Sequence, residues 1–157
     1  MHLLQGRNRA ITEPILSNES IPPFDNTAVD GYAVKAIDTK GATQETPISL
    51  TVLETIAAGK PPTFAIQSGE CSKIMTGAPI PDGADAVVMV ERTKQQENES
   101  VVAIEEEVSK GQHIRRSGED LEPGDLVIPQ GTVLNAAHLG LLASLGIYQI
   151  TTVRTPT

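Results

Sequence analysis

Residues 21–34 read IPPFDNTAVDGYAV. Pro22 and Pro23 fix φ and hold Ile21 extended, so the stretch is neither a helix nor the middle of a sheet. It predicts a stiff loop that presents Asp25, Asn26 and Asp30 at defined angles before a short strand begins at Tyr32. A rigid loop with that many oxygen ligands usually has a chemical job. Taken singly, Asp25 and Asn26 are also ordinary turn residues, because their side chains bond nearby backbone N–H groups.

Outward from this loop, short apolar runs alternate with breaks. In ISLTVLETI, Ile48, Leu50 and Val52 alternate with Ser49 and Thr51, the period of a half-buried strand. Gly59-Lys60-Pro61-Pro62 breaks it. ECSKIM (70–75) predicts another strand, and the continuous apolar run AVVMV (86–90) a buried one. The polar stretch KQQENES (94–100) followed by VVAI predicts a hairpin. Glu105 to Glu107 are expected to form a solvated face. Pro123-Gly124-Asp125 turns into LVI, and AITEPILS near the start is a short extended piece. The whole predicts a mainly β module of barrel or folded-sheet type.

One helix stands out. Asn135 is a good N-cap, AAHLGLLASL follows, and Gly146 sits at the usual stop position. Leu139, Leu142 and Ala143 mark one face, with Leu141 and Leu145 beside it, so the helix is expected to be buried. Gly140 would let another backbone approach closely. His138 has no His or Cys at ligand spacing and reads as a surface or packing residue. ITTVRTPT (150–157) predicts a strand leading into a further domain.

Composition narrows the function classes. At 157 residues the chain suits one domain or two small ones. Its 20 acidic and 12 basic residues, a net charge of −8, argue against nucleic-acid and anionic-membrane partners. Aromatic residues are only 3%, with no Trp, so the core must be built from Val, Ile, Leu and Ala. The single Cys71 cannot form an internal disulfide, which fits a cytoplasmic location, and it reads as a small buried hydrophobe. No apolar run approaches a membrane span and no signal peptide is visible. The Asn-Glu-Ser triplets at Asn18 and Asn98 read as polar loops.

Two further segments carry chemistry. In IMTGAPIPDGADAVVMVE (74–91), Thr76 ends a strand beside Gly77, where a hydroxyl and backbone N–H groups could meet an anion. An ordinary strand-ending turn is the competing reading. In HIRRSGEDLEPGD (113–125), Arg115 and Arg116 form the sole adjacent Arg pair of an acidic chain, suited to holding oxyanions. Glu119 and Asp120 follow Gly118, and such carboxylates bind Mg²⁺ together with substrate phosphates. A turn in which an Arg pairs with Glu119 or Asp120 fits equally well.

These three segments, in this order and spacing, resemble the N-terminal half of the MoeA-like molybdopterin molybdenumtransferases, to which the C-terminal part of gephyrin is related. The family runs PPFDNSAMDGYAV, IMTGAPVPEGADAVVMQE and NIRRRGED appear here as PPFDNTAVDGYAV, IMTGAPIPDGADAVVMVE and HIRRSGED, and LLASLGI also matches. Thr27 and Val29 are mild departures. Ser117 replaces a third Arg, which leaves Arg115 and Arg116.

The resemblance implies a mainly β fold in two domains. Residues 1–29 and 114–157 would form a small domain carrying the buried helix, lacking the family's N-terminal helical part. Residues 30–113 would be an inserted β-rich domain. The family's pterin-binding α/β domain and small C-terminal β domain are missing, so this chain alone is expected to be inactive. The implied activity is insertion of molybdate into adenylylated molybdopterin, with Mg²⁺, by a cytoplasmic homodimer whose active cleft is shared between subunits. By position, Asp30, Thr76, Glu119 and Asp120 are the implied catalytic residues, with Asp30 and Asp120 as metal ligands. Arg115, Arg116, Asp25 and Asn26 would bind substrate. The alternative is a non-catalytic dimerisation or scaffold module of a gephyrin-like protein.

Overall fold

The computed structural model describes residues 1–153 and is mainly β. In chain order the strands are β1 (Ile15–Leu16), β2 (Asn26–Thr27), β3 (Gly31–Val34), β4 (Ile48–Ile56), β5 (Glu70–Ile74), β6 (Ala86–Met89), β7 (Thr93–Gln95), β8 (Val101–Ile104), β9 (Ile114–Arg115) and β10 (Leu126–Ile128); the α-helix is α1 (Ala136–Ser144). The chain divides into two compact units, Phe24–Ser117 and Met1–Pro23 with Gly118–Thr157. The end of the predicted terminal strand, residues 154–157, lies outside the described residues.

The unit Phe24–Ser117 is built on a sheet in the order β6-β3-β5-β4-β8-β7 that curls into half a barrel. Its neighbours run antiparallel except the parallel pair β4–β5. A separate ribbon pairs β2 with β9 and brings residues 24–29 and 114–117 into this unit. The loop predicted between Ile21 and the strand starting at Tyr32 is therefore more ordered than expected. Asn26–Thr27 is already a strand, and the next begins at Gly31 and lies inside the sheet. Gly31 makes that possible: a Cβ there would collide with the Val88 carbonyl oxygen of β6. All four residues of β3 are buried, so both of its faces meet apolar neighbours, the reason GYAV and AVVM show no polar alternation.

The two faces carry separate cores. Tyr32, Val34, Leu50, Cys71, Val88 and Val102 pack on one. Ala33, Ile56, Ile74, Ala78 and Val87 pack on the other. Leu50 and Ile56 belong to one strand at even spacing, so a regular strand would place them on the same side. The register between β4 and β5 shifts between Val52 and Thr55, inserting one extra residue and turning Ile56 to the opposite face. The predicted hairpin is present as β7 and β8. Glu105 corrects the expected solvated acidic run: its side chain is buried against the Lys94 ammonium at 2.7 Å. Cys71 is buried as expected, and burial pushes its thiol up to about 12.

In the other unit β1 pairs with β10, and isolated bridges join His2 to Gln149, Ala10 to Val133 and Ile11 to Thr152. Its core is Leu3, Ile11, Ile128, Leu134, Leu142 and Ile150. Helix α1 starts on a reciprocal cap: Asn135 Oδ1 accepts from the His138 N–H at 3.0 Å, and His138 Nδ1 accepts from the Asn135 N–H at 3.2 Å. The return half of that cap is the work of the His138 side chain, which the sequence leaves as a surface or packing residue. The helix ends where Gly146 adopts φ 69°, with Gly146 N–H on the Ala143 carbonyl and Ile147 N–H on that of Leu142. Its buried face is narrower than predicted. Leu142 is fully buried and Leu139 partly, while Leu141 stays 40% exposed. Burying one Leu stabilises by roughly 1.5–3 kcal/mol, so α1 is seated largely through Leu142.

Candidate functional site

Asp30 immediately precedes β3 and Thr76 follows β5, and these strands are neighbours with Gly31 opposite Ile74. The pairing brings the two residues together at one end of the sheet. Asp30 Oδ1 accepts from the Thr76 N–H at 2.7 Å and from the Thr76 hydroxyl at 2.8 Å. The backbone N–H first, and then the hydroxyl, hold the Asp30 carboxyl below its ordinary value against slight desolvation. Asp30 is exposed and Oδ2 has no partner among the described residues. It is thus a fixed, ionised carboxylate with one oxygen open. Thr76 was expected to meet an oxyanion itself, yet both of its donors point at Asp30, so it orients that carboxylate instead.

Asp25 is used differently. Its Oδ1 accepts from the Ser117 N–H at 2.8 Å and its Oδ2 from Arg116 Nη1 at 2.6 Å. The Ser117 N–H, then the Arg116 guanidinium, hold its carboxyl below the ordinary value, against some desolvation. Asp25, predicted to bind substrate, therefore braces the ribbon with both oxygens engaged. Asn26 is buried, paired with Arg115 in β9 and bridged to Pro79. Arg115 is half-buried and Arg116 exposed.

Glu119 and Asp120 belong to the other unit and are exposed. There the backbone N–H groups of Gly118 and Asp120 bond the carbonyls of Pro22 and Ile21 at 2.9 and 2.8 Å, fixing the turn that carries both acids. Among the described residues no group of three or more His, Cys, Asp and Glu forms a ready metal cage.

Sequence reasoning missed a cleft of about 300 Å³ lined by Phe24, Gly59, Lys60, Pro61, Pro62 and Pro79. In the sequence Gly59-Lys60-Pro61-Pro62 reads as a strand break, and Phe24 stands inconspicuously between the prolines and Asp25. The available signal was an aromatic residue beside prolines in a chain with only two Phe. The Pro61–Pro62 wall is held by Glu54, whose Oε1 accepts from the N–H groups of Thr63 and Phe64 at 2.8 and 3.0 Å. Burial pushes the Glu54 carboxyl up, but these bonds outweigh it and hold it below the ordinary value.

The pattern of the MoeA N-terminal region (domain I and II) matches residues 1–146. The chain is 43% identical over 148 residues to molybdopterin molybdenumtransferase 2 of Mycobacterium tuberculosis, covering 94% of this chain and 36% of that protein. It is 35% identical over 154 residues to molybdopterin molybdenumtransferase of Staphylococcus aureus, covering 98% and 36%. The crystal structure of the molybdopterin biosynthesis MoeA protein from Pyrococcus horikoshii OT3 is similar with a TM-score of 0.89 at 37% identity, over 96% of this chain and 39% of that one. The chain thus spans little more than a third of the length of these relatives.

Proposed function

Because this chain belongs to the MoeA family, as an example of its N-terminal region, we propose that it serves molybdenum-cofactor biosynthesis as part of a molybdopterin molybdenumtransferase. In this reading the complete enzyme inserts molybdate into adenylylated molybdopterin. This chain supplies an acidic rim to a site whose other walls come from further polypeptide in a cytoplasmic homodimer. Molybdate and the adenylylated pterin are substrates. The observation that carries the proposal is the Asp30 carboxylate, ionised, exposed and oriented by two donors of Thr76.

Mg²⁺ fits such a group. It takes one or two carboxylates, keeps several waters, and completes its shell with substrate phosphates, so the absence of a three-ligand cage among the described residues is no obstacle. Asp30 would hold it through its open Oδ2; Glu119 and Asp120, on the other unit, take their proposed roles in water and metal binding from the family motif alone. When bound, the ion would neutralise charge between carboxylates and substrate phosphates, which otherwise repel. The chain's own residues do the rest. Thr76 keeps the Asp30 carboxylate oriented and ionised. Arg115 and Arg116 add positive charge that attracts an anionic substrate, Arg116 while still bracing Asp25.

The test is complementation of a strain lacking molybdenumtransferase activity, using the full-length protein that carries this sequence. Asp30→Ala and Asp120→Ala are each expected to abolish cofactor synthesis with the fold intact by circular dichroism. Wild-type cofactor levels in both variants would remove the assignment. The second reading is a non-catalytic dimerisation module. It is favoured by apolar side chains left outside on the helix-bearing unit, with Leu4 at 77% and Tyr148 at 58% exposure. A dimer in sedimentation with no affinity for nucleotide or Mg²⁺ would support it.

A further inference from the structure

Large apolar side chains normally go inside, yet both phenylalanines of this aromatic-poor chain are outside, Phe24 at 44% and Phe64 at 52% exposure. They flank one ridge. Phe24 lines the cleft of about 300 Å³, Phe64 lines a neighbouring hollow of about 340 Å³, and Pro62 borders both. The first cleft is lined by Phe24, Gly59, Pro61, Pro62 and Pro79, and Lys60 is its one charged lining residue among the described residues. Lys60 has no ion pair there, in a chain of net charge −8.

The walls are set before any ligand arrives. Proline fixes its own φ. Glu54 clamps the chain just past Pro62. On the other side, the Ile80 N–H bonds the Asp25 carbonyl at 3.0 Å, and the Asp25 side chain is tied to Arg116 and Ser117. The cleft and the Asp30 rim draw on one loop, which carries Thr76 at its start and Pro79 three residues on. A Cβ on Gly77 of that loop would rest 3.9 Å from Ala58, so the segment leading to Lys60 lies alongside it.

An apolar cleft lined by an aromatic ring and prolines, with a single cation in its lining, suits a planar ring carrying a negative group. Ring stacking on an aromatic face is tolerant of ring identity, and an ammonium adds a point attraction for phosphate. We propose that the Phe24–Pro62–Pro79 cleft binds a heteroaromatic ring joined to a phosphate, seating the nucleotide portion of the adenylylated substrate beside Asp30. This assignment rests on the transferase reading above for the identity of its ligand.

The experiment is a titration of the ¹⁵N-labelled chain followed by amide NMR, with AMP, adenosine and ribose 5-phosphate as probes. AMP is expected to shift the Phe24, Gly59 and Lys60 amides, adenosine to shift them at higher concentration, and ribose 5-phosphate to leave them in place at matched concentration. Phe24→Ala is expected to weaken AMP about tenfold. Lys60→Met is expected to weaken AMP about fivefold while leaving adenosine unchanged, and its exposed side chain removes any concern over folding. Equal responses to AMP and ribose 5-phosphate would overturn the proposal, since the ammonium would then collect anions without a ring slot. AMP shifts confined to other residues would overturn it too. The two readings fail separately. Should AMP ignore the cleft while Asp30→Ala still abolishes cofactor synthesis, only the cleft assignment falls. Should AMP bind there while Asp30→Ala is fully active, the cleft stands as a nucleotide site and the role of Asp30 falls.

Discussion

Asp25 and Asp30 come from one short run of sequence, and each carboxylate accepts two hydrogen bonds. At the Asp25 corner the donors are spread over both oxygens and come from Arg116 and Ser117 beyond β9. A cation neutralises the charge and the chain is tied across the ribbon. At the Asp30 rim both donors come from Thr76 and converge on Oδ1. No cation faces this carboxylate among the described residues, and Oδ2 remains open. The distribution of donors, rather than the residue type, decides whether a carboxylate braces a fold or is available to a ligand.

The largest effect that would break this contrast is expected at Gly31. Gly31→Ala drives a Cβ into the Val88 carbonyl, and backbone cannot yield as a side-chain tip does. A loss of about 3 kcal/mol in urea denaturation is expected, with the Asp30–Thr76 pair displaced along with β3 and the Asp25 brace left in place. Next come the carboxylates themselves. Asp25→Ala is expected to cost about 1 kcal/mol, because its ion pair is partly exposed. Asp30→Ala should leave stability almost unchanged, because the carboxylate is fully exposed, despite its expected effect on cofactor synthesis. Equal stability losses at both positions would erase the distinction.

The smallest effects are in titration and sharpen the contrast most. Both folded-state carboxyls lie below the ordinary 3.8. The stabilisation is therefore fully present above that value and is lost as pH falls through the lower folded values. Stability should be flat near neutrality and decline only in strong acid. Thr76→Val removes the hydroxyl but keeps the larger backbone contribution, so Asp30 should rise only part of the way and Asp25 not at all. Arg116→Met should do the converse, raising Asp25 alone. Carboxyl ¹³C NMR reads both, and a shift at the wrong aspartate would show the two clamps to be coupled.

Much of this was legible beforehand because the relevant forces are local. Alternation in ISLTVLETI, the β-branched run at Ala86–Met89 and the Asn135 and Gly146 signals each reflect neighbours within a turn or a strand. Three things were hidden. The bulge after Val52 sends Ile56 to the other face, and it exists only as a mismatch between β4 and β5. Glu105 sits in an acidic run yet is buried, because Lys94 from the adjoining strand meets it. Phe24 and Lys60 looked like punctuation until the β2 and β4 ends delivered them to one cleft.

From the chain of letters alone came the strands, the helix with its cap and stop, and the motifs that mark the family, since these depend on residues near one another along the backbone. Which aspartate is braced and which is left open, and where the two phenylalanines emerge, were settled only by folding. Those outcomes depend on donors and walls that arrive from distant parts of the chain through strand pairing.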